Sequence, residues 1–406
     1  ICFANANVSG KVYEPSYEEV VQMLRNYRNT KPHPTNVIQF AGGEPTSHPR
    51  FLDIIKAARD MGFNHIQIAT NGLKFTDLEF AEKCQEAGLH TLYLQFDGMR
   101  EENYQKTRGR PLLEEKLKCM ENIRKTDLRI VFVPTIINTV NDDQVGPILT
   151  YAIENPDIVS GISYQPVCFT GRISRKERMQ KRFTLPDIAK RIEEQTGLMS
   201  AKDEWYPMSL VSPISKLSSA LWGANVLHLS CHPHCTLGTY VVIGPKGDAV
   251  PITRFIDVEG LFTEMEQLSD NVRRSRSKTF QSIKTFNRLK KYFNEKVAPA
   301  GMTFKHFLES LYGLIDKEYG RGERRPKYHA MLVAGMHFMD GYNFEVERVK
   351  RCVVHYSAPD GKIYPFCTYN SGPTYREKVE KKFSISAEEW NKRHPHLATC
   401  PGKKSP

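Results

Sequence analysis

An α/β fold built on a parallel sheet is predicted for this chain, and three observations predict it. Short apolar runs alternate with stretches of helical spacing through the first half. Each run ends in turn residues such as Gly42-Gly43, Asn71-Gly72 or Asp97-Gly98. The rhythm stops near residue 200, where hairpin signals and a basic stretch replace it.

Taken in order, Asn36–Phe40 is a strand closed by Ala41-Gly42-Gly43. Arg50–Met61 carries Phe51, Ile54, Ile55 and Ala58 at helical spacing. His65–Ala69 is a second strand, and Leu78–Glu86 is a helix stopped by Gly88. Thr91–Phe96, Ile130–Ile137 and Val159–Val167 are further strands, with helices at Leu112–Lys125 and Gln144–Glu154 between them. Right-handed crossovers should curl such a sheet into an open or closed barrel. The polar turns follow the strands, so three loops converge on the carboxyl edge, where α/β folds bind ligands. Beyond residue 200 there are two hairpins. One runs from Thr239 through Gly244–Asp248 to Phe255, the other from Val353 through Ala358–Gly361 to Phe366. The expected division is therefore residues 1–200 and an α+β domain over 201–406.

Composition bounds the function. The chain has 406 residues, so it can bury a sizeable core, and its 40% hydrophobic and 25% charged residues exclude wholesale disorder. No run of about 18 apolar residues exists, which excludes a membrane-spanning helix. The start, Ile1-Cys2-Phe3-Ala4-Asn5, lacks the basic flank and apolar core of a signal peptide, and the missing Met suggests a fragment. Nine cysteines without a small secreted framework point to thiols or metal ligands rather than disulfides.

Cysteine placement is the most informative chemical feature. Cys231 and Cys235 precede the first hairpin, and Cys352 and Cys367 bracket the second. Hairpins keep their ends close, so the two pairs form a four-thiolate set suited to an iron–sulfur cluster or a tetrahedral zinc. Buried apolar cysteines are the alternative, and the one preferred for Cys84, Cys119 and Cys168. Cys400 has no assigned role. His232 and His234 are too tightly spaced to join Cys231 and Cys235 on one ion, and read as loop residues. Gly42-Gly43-Glu44-Pro45 is either a plain strand–helix turn or a ligand cradle: glycines admit close approach, Pro45 fixes the turn, and Glu44 suits an ammonium group.

Ala41-Gly42-Gly43-Glu44-Pro45, following a region with Cys2, resembles the core of the radical S-adenosylmethionine (SAM) superfamily. There, three cysteines spaced C-x3-C-x2-C hold a 4Fe–4S cluster that chelates SAM. The resemblance makes Cys2 the third of these ligands, with the other two upstream of Ile1, so the motif is incomplete in this chain. It implies a partial (βα)6 barrel with its first strand missing. It places Gly42, Gly43 and Glu44 at the SAM amino group, with Pro45 among the cofactor-binding residues. Thr70, Asn71, Gln95 and Asp97 fall beside the ribose and methionine parts, and Thr135 is a weaker match.

A longer resemblance, carried by Gln165–Arg172, Cys231–Cys235, Pro251–Val258 and Cys352–Asn370, is to the archaeal tetraether lipid synthases. It implies coupling of isoprenoid chain ends of ether phospholipids after hydrogen abstraction by a 5′-deoxyadenosyl radical. The Cys231/Cys235/Cys352/Cys367 set would hold an auxiliary 4Fe–4S cluster. A reducing electron donor, a monomeric state and a cytoplasmic protein, peripheral on the inner membrane face, follow from the same reading. A radical SAM methyltransferase acting on a pterin-like small molecule is the alternative, and a metal-stapled binding protein is a third reading from another class.

The net charge of +11 concentrates in Asn271–Lys296, with nine Lys/Arg and one acid. Phe280, Ile283, Phe286, Leu289 and Phe293 recur there at helical spacing. This predicts a basic amphipathic helix, suited either to anionic lipid or to packing on a core with a solvated face. No nucleic-acid motif accompanies it.

Overall fold

The computed structural model describes residues 10–31, 34–169, 171–222, 231–274, 285, 287–312, 327–371 and 373–395. Cys2, Cys400 and most of the basic segment therefore lie outside the described residues.

Strands are β1 (Lys11–Val12), β2 (Val37–Phe40), β3 (His65–Thr70), β4 (Thr91–Leu94), β5 (Arg129–Phe132), β6 (Thr135–Ile136) and β7 (Val159–Pro166). There follow β8 (Tyr206–Pro207), β9 (Thr236–Ile243), β10 (Ala249–Pro251), β11 (His329–Met336), β12 (His355–Ser357), β13 (Ile363–Pro365) and β14 (Ile385–Ser386). A ten-stranded mixed sheet dominates, in the order β10-β9-β11-β7-β5-β4-β3-β2, with β6 on β7 and β8 on β9. From β2 to β7 neighbours are parallel and follow chain order. β11 adds a further parallel strand beside β7, and β9 pairs antiparallel with β11. The sheet thus crosses the division expected at residue 200.

The expected strands and helices of the first half lie within a few residues of the observed ones. The helix Phe51–Asp60 buries Phe51, Ile54, Ile55 and Ala58, one face at the spacing of 3.6. The helix Leu78–Ala87 is capped by Asp77, whose side chain accepts from the Glu79 N–H, and ends at Gly88 with φ +113°. The helix Leu113–Ile123 turns Cys119, Met120 and Ile123 inward. Every second strand residue faces these helices. Ile66, Ile68, Leu92, Leu94, Ile130 and Phe132 are fully buried in one core with Ile55, Ala81 and Cys84. At about 1.5–3 kcal/mol per fully buried large apolar side chain, this layer is the main stabilisation of the sheet. The intervening strand residues, among them Gln39, Gln67, Tyr93 and Val131, line a cavity on the opposite face.

A second core gathers Phe255, Leu261, Leu268, Met302, Phe304 and Phe307 around the helices Val258–Arg274 and Phe304–Tyr312. Here the basic helix expected to reach Lys296 is corrected at its end. Lys290–Tyr292 is a single 3-10 turn, and Phe293 is extended and bridges to Ile256. The cause is packing, because Phe293 inserts among Phe255, Phe304 and Phe307. Arg288 and Lys291 both pair with Glu264, at 2.5 and 2.9 Å. Burial would raise the Glu264 pKa, but these cations and Tyr292 outweigh it and hold it below the usual carboxylate value. Among the described residues, no helix is long and apolar enough to cross a membrane.

Candidate functional site

The site is assembled at the carboxyl ends of the parallel strands. After β2, a Cβ on Gly42 or Gly43 would meet nothing within 4 Å, so the backbone stands open to a ligand. Glu44 caps the turn Pro45–Ser47. Its Oε1 accepts from Thr46 N at 3.2 Å, Thr46 Oγ1 at 2.8 Å and Thr70 Oγ1 at 2.8 Å. Its Oε2 accepts from Asn71 N at 2.8 Å. One carboxylate thus ties the end of β2 to the end of β3. Oε2 takes a single donor among the described residues, and its remaining lone pair can receive a cation from the cavity.

The end of β4 is organised around Asp97, which is fully buried. Its Oδ2 accepts from Arg108 Nε at 2.7 Å, Thr107 Oγ1 at 3.1 Å and Gln95 Nε2 at 2.5 Å. Its Oδ1 accepts from Thr135 N at 3.0 Å. Asp97 therefore holds Gln95, Arg108 and the start of β6 in register from behind the wall.

The cavity itself is about 1160 Å³, room for a nucleoside-sized cofactor and a second small molecule. Of the residues expected at the cofactor, Gly42, Gly43, Glu44, Thr70, Asn71, Gln95 and Thr135 reach its wall. Pro45 and Asp97 do not. Sequence reasoning missed Gln39, Gln67 and Gln165, which share that wall with Gln95. The available signal is a glutamine between apolar neighbours, as in Ile38-Gln39-Phe40 and Ile66-Gln67-Ile68. Alternation puts those neighbours in the core and the amide in the cavity. Gln67 Oε1 is a buried acceptor with no hydrogen-bond partner among the described residues.

The second-half cysteines stand beside this cavity, whose wall includes Phe338, Val354 and Phe366. Cys231, Cys235, Cys352 and Cys367 come together closely enough to influence one another electrostatically. Burial pushes the Cys231 and Cys352 thiols up, and that of Cys367 to about 11. Arg348 Nε donates to Cys235 Sγ at 3.4 Å, and Met339 N donates to Cys367 Sγ at 3.3 Å. Cys168, expected to be a core thiol, instead lies beside Cys367 with its thiol donating to Phe338 O at 3.0 Å. Cys84 and Cys119 are core residues.

Among the described residues, the group of at least three His, Cys, Asp or Glu with ligand atoms mutually within 4.8 Å is His232, His234 and Glu345. His232 Nδ1 accepts from His234 N at 3.2 Å, so the neutral ring carries its proton on Nε2 and offers no free lone pair. Among the described residues no three of these thiols lie mutually within 4.8 Å, whereas thiolates on one zinc sit about 3.8 Å apart at a Zn–S distance of about 2.3 Å.

The parallel strands of the mixed sheet line a cofactor-sized cavity along their length, with Glu44, Thr70, Asn71 and Gln95 at its carboxyl end, the place where α/β proteins bind ligands. The chain belongs to the radical SAM superfamily, whose pattern matches residues 1–152. S-adenosylmethionine and a 4Fe–4S cluster are its cofactors. It is 44% identical over 396 residues to a 7,8-dihydro-6-hydroxymethylpterin dimethyltransferase of Methanocaldococcus jannaschii, covering 97% of this chain and 78% of that protein. It is 27% identical over 167 residues to a GTP 3′,8-cyclase of Chlorobaculum tepidum, covering 39% and 49%. A domain of pyruvate-formate lyase-activating enzyme from Bacteroides vulgatus aligns over 39% of this chain and 93% of that one, at 19% identity and a TM-score of 0.30.

These findings correct two expectations. The tetraether-forming activity and the ether-phospholipid partner give way to the relative named for a pterin substrate. The cavity wall carries hydrogen-bonding groups from Gln39, Gln67, Tyr93, Gln95, Ser163 and Gln165 beside apolar residues such as Val131, Leu332 and Phe338.

Proposed function

We propose that the protein is a radical SAM methyltransferase acting on a pterin-like small molecule. The observation that carries this reading is the 44% identity, over nearly the whole chain, to a pterin dimethyltransferase. The cavity supports it: side-chain amides match the donor and acceptor edges of a pterin ring, and Gln67 Oε1 is an acceptor awaiting an N–H.

In this reading the sheet is a partial barrel, a form supported by residues from β2 and β9 lining one cavity. Glu44 Oε2 receives the SAM ammonium, and Gly42 and Gly43 let its carboxylate end approach the backbone. Thr70, Asn71, Gln95 and Thr135 border the rest of the molecule, with Asp97 behind them. When bound, SAM and the cluster supply radical activation of a C–H bond. The chain's residues hold the reacting carbon near that centre and exclude water. Cys2 would serve the SAM cluster, and Cys231, Cys235, Cys352 and Cys367 an auxiliary one, a role supported by their mutual electrostatic influence.

The test is anaerobic incubation of the full-length protein with SAM, a reductant and 6-hydroxymethyl-7,8-dihydropterin, read by mass spectrometry. Mass gains of one or two methylene units on the pterin are expected. An unchanged pterin, with SAM cleaved, would overturn the substrate assignment.

A further inference from the structure

We propose that Lys116, on the helix behind the sheet, is a positioning residue that presets the SAM-binding edge by fixing Asn71 and Gln95. The inference rests on the reading that SAM sits at this edge.

Lys116 lies on the helix Leu113–Ile123 and is 0% exposed. A lysine there is costly, because burying an ammonium forfeits its hydration. An apolar side chain of similar length would fill the same space without that cost. What the ammonium does is donate to two acceptors, the Asn71 carbonyl and Gln95 Oε1, the latter at 3.0 Å. Both acceptors belong to residues on the cavity wall.

Each bond fixes an orientation. Donation to Gln95 Oε1 leaves Gln95 Nε2 to face Asp97 Oδ2 at 2.5 Å, so the amide has one orientation instead of two. Asn71 is held from both sides: its carbonyl accepts from Lys116, while its N–H donates to Glu44 Oε2 at 2.8 Å. Lys116 thereby joins the ends of β3 and β4, as Glu44 joins those of β2 and β3.

The charged and titratable groups facing the ammonium are Asp97 and Glu44 from the strand ends, Arg108 from the helix Glu101–Arg108, and Cys119 on its own helix. Burial lowers the Lys116 pKa from 10.5 to about 8, with Asp97 opposing. Burial pushes the Cys119 thiol up to about 12, outside that range. Neutral lysine donates more weakly, so the edge should loosen as pH rises through about 8.

The experiment is SAM binding by equilibrium dialysis on the anaerobically purified holoenzyme between about pH 7 and 9.5. The proteins compared are wild type, Lys116→Met, Lys116→Arg and Glu44→Gln. Lys116→Met should weaken SAM binding about tenfold or more at pH 7, the loss expected for hydrogen bonds from a charged donor. The wild-type loss of affinity above about pH 8 should shrink in Lys116→Met, leaving only the titration of SAM's own amino group. Lys116→Arg should keep affinity across that range. A pH profile of Lys116→Met superimposable on wild type, or binding within about twofold of it, would overturn the proposal. If Lys116→Met does not fold, the comparison of wild type with Lys116→Arg decides, and superimposable profiles there also overturn it. If Glu44→Gln binds SAM as wild type does, the placement of SAM at this edge fails. If Glu44→Gln weakens binding and Lys116→Met does not, only the role of Lys116 fails.

Discussion

Lys116 couples folding and ligand binding to pH with opposite signs. Its folded-state pKa is lowered, so between about 8 and 10.5 the unfolded chain holds a proton that the folded chain has released. Stability from this group therefore rises with pH across that window, while SAM affinity is expected to fall. Denaturant midpoints of ligand-free protein at pH 7.5 and 9.5 should show a gain in wild type that is absent in Lys116→Met. His337 behaves differently. Burial first, then Arg348 and Arg182, lower its pKa from 6.5 to about 4. Its contribution is present above pH 6.5 and is lost as pH falls towards 4, because the unfolded chain protonates first. Replacing His337 with Asn should flatten the acid limb of the stability profile, measured by denaturant titration between pH 7 and 4.5. At this scale the sequence was only partly informative. Gly42, Glu44 and Asn71 announce themselves by sitting in turns after strands. Lys116 does not, since a lysine in Leu113–Ile123 reads as an ordinary solvated helix position until the fold turns it inward.

Among elements, β2 to β5, β7 and the helices Phe51–Asp60, Leu78–Ala87, Leu113–Ile123 and Val145–Glu154 were readable because hydrophobic period and turn residues agree, whereas the helices Tyr17–Arg28, Glu101–Arg108 and Leu185–Thr196 were not. Gly72 shows why the turn chemistry is strict: its φ is +79°, and a Cβ would come within 2.5 Å of Leu94 Cδ1. Gly72→Ala should cost more than about 1 kcal/mol, read as a lowered denaturation midpoint. β11 was not readable. Its sequence, His329–Met336, has Ala and Gly among its apolar residues, and its partners β7 and β9 are distant along the chain. A similar long-range tie fixes the segment after β11. Asp340 accepts from Arg182 Nη1 at 2.7 Å and from Phe169 N at 3.0 Å. Burial acts to raise the Asp340 pKa, but Arg182 and the backbone N–H groups outweigh it. Arg182→Met should destabilise by about 3–5 kcal/mol, because it leaves a buried carboxylate unpaired. Asp340→Asn in that background should recover part of the loss.

For the whole molecule, composition bounded the class, and the resemblance to tetraether lipid synthases misdirected the substrate. The basic segment suited either an anionic lipid surface or packing on a core, and two of its described cations, Arg288 and Lys291, are paired with Glu264 on a neighbouring helix. Net charge does not reveal which partners a fold brings to each side chain. That Cys231, Cys235, Cys352 and Cys367 approach one another was expected from hairpin spacing, whereas Cys168 beside Cys367 was not, since the two are far apart in sequence. Serine substitution of Cys352 and Cys367 together should lower the iron and acid-labile sulfide content of anaerobically purified protein. Unchanged iron and sulfide would remove these thiols from the metal-binding set.

The place of β11 also orders events during synthesis. β7 can pair with β5 once residue 166 has emerged, but its other edge waits for Leu332–Gly335. At about 5–20 residues per second the ribosome needs on the order of ten seconds or more to supply them. Through that interval a growing chain carries a bare strand edge. Slowed elongation between residues 170 and 330 should therefore raise aggregation or chaperone occupancy of nascent chains before any change in the finished protein is seen.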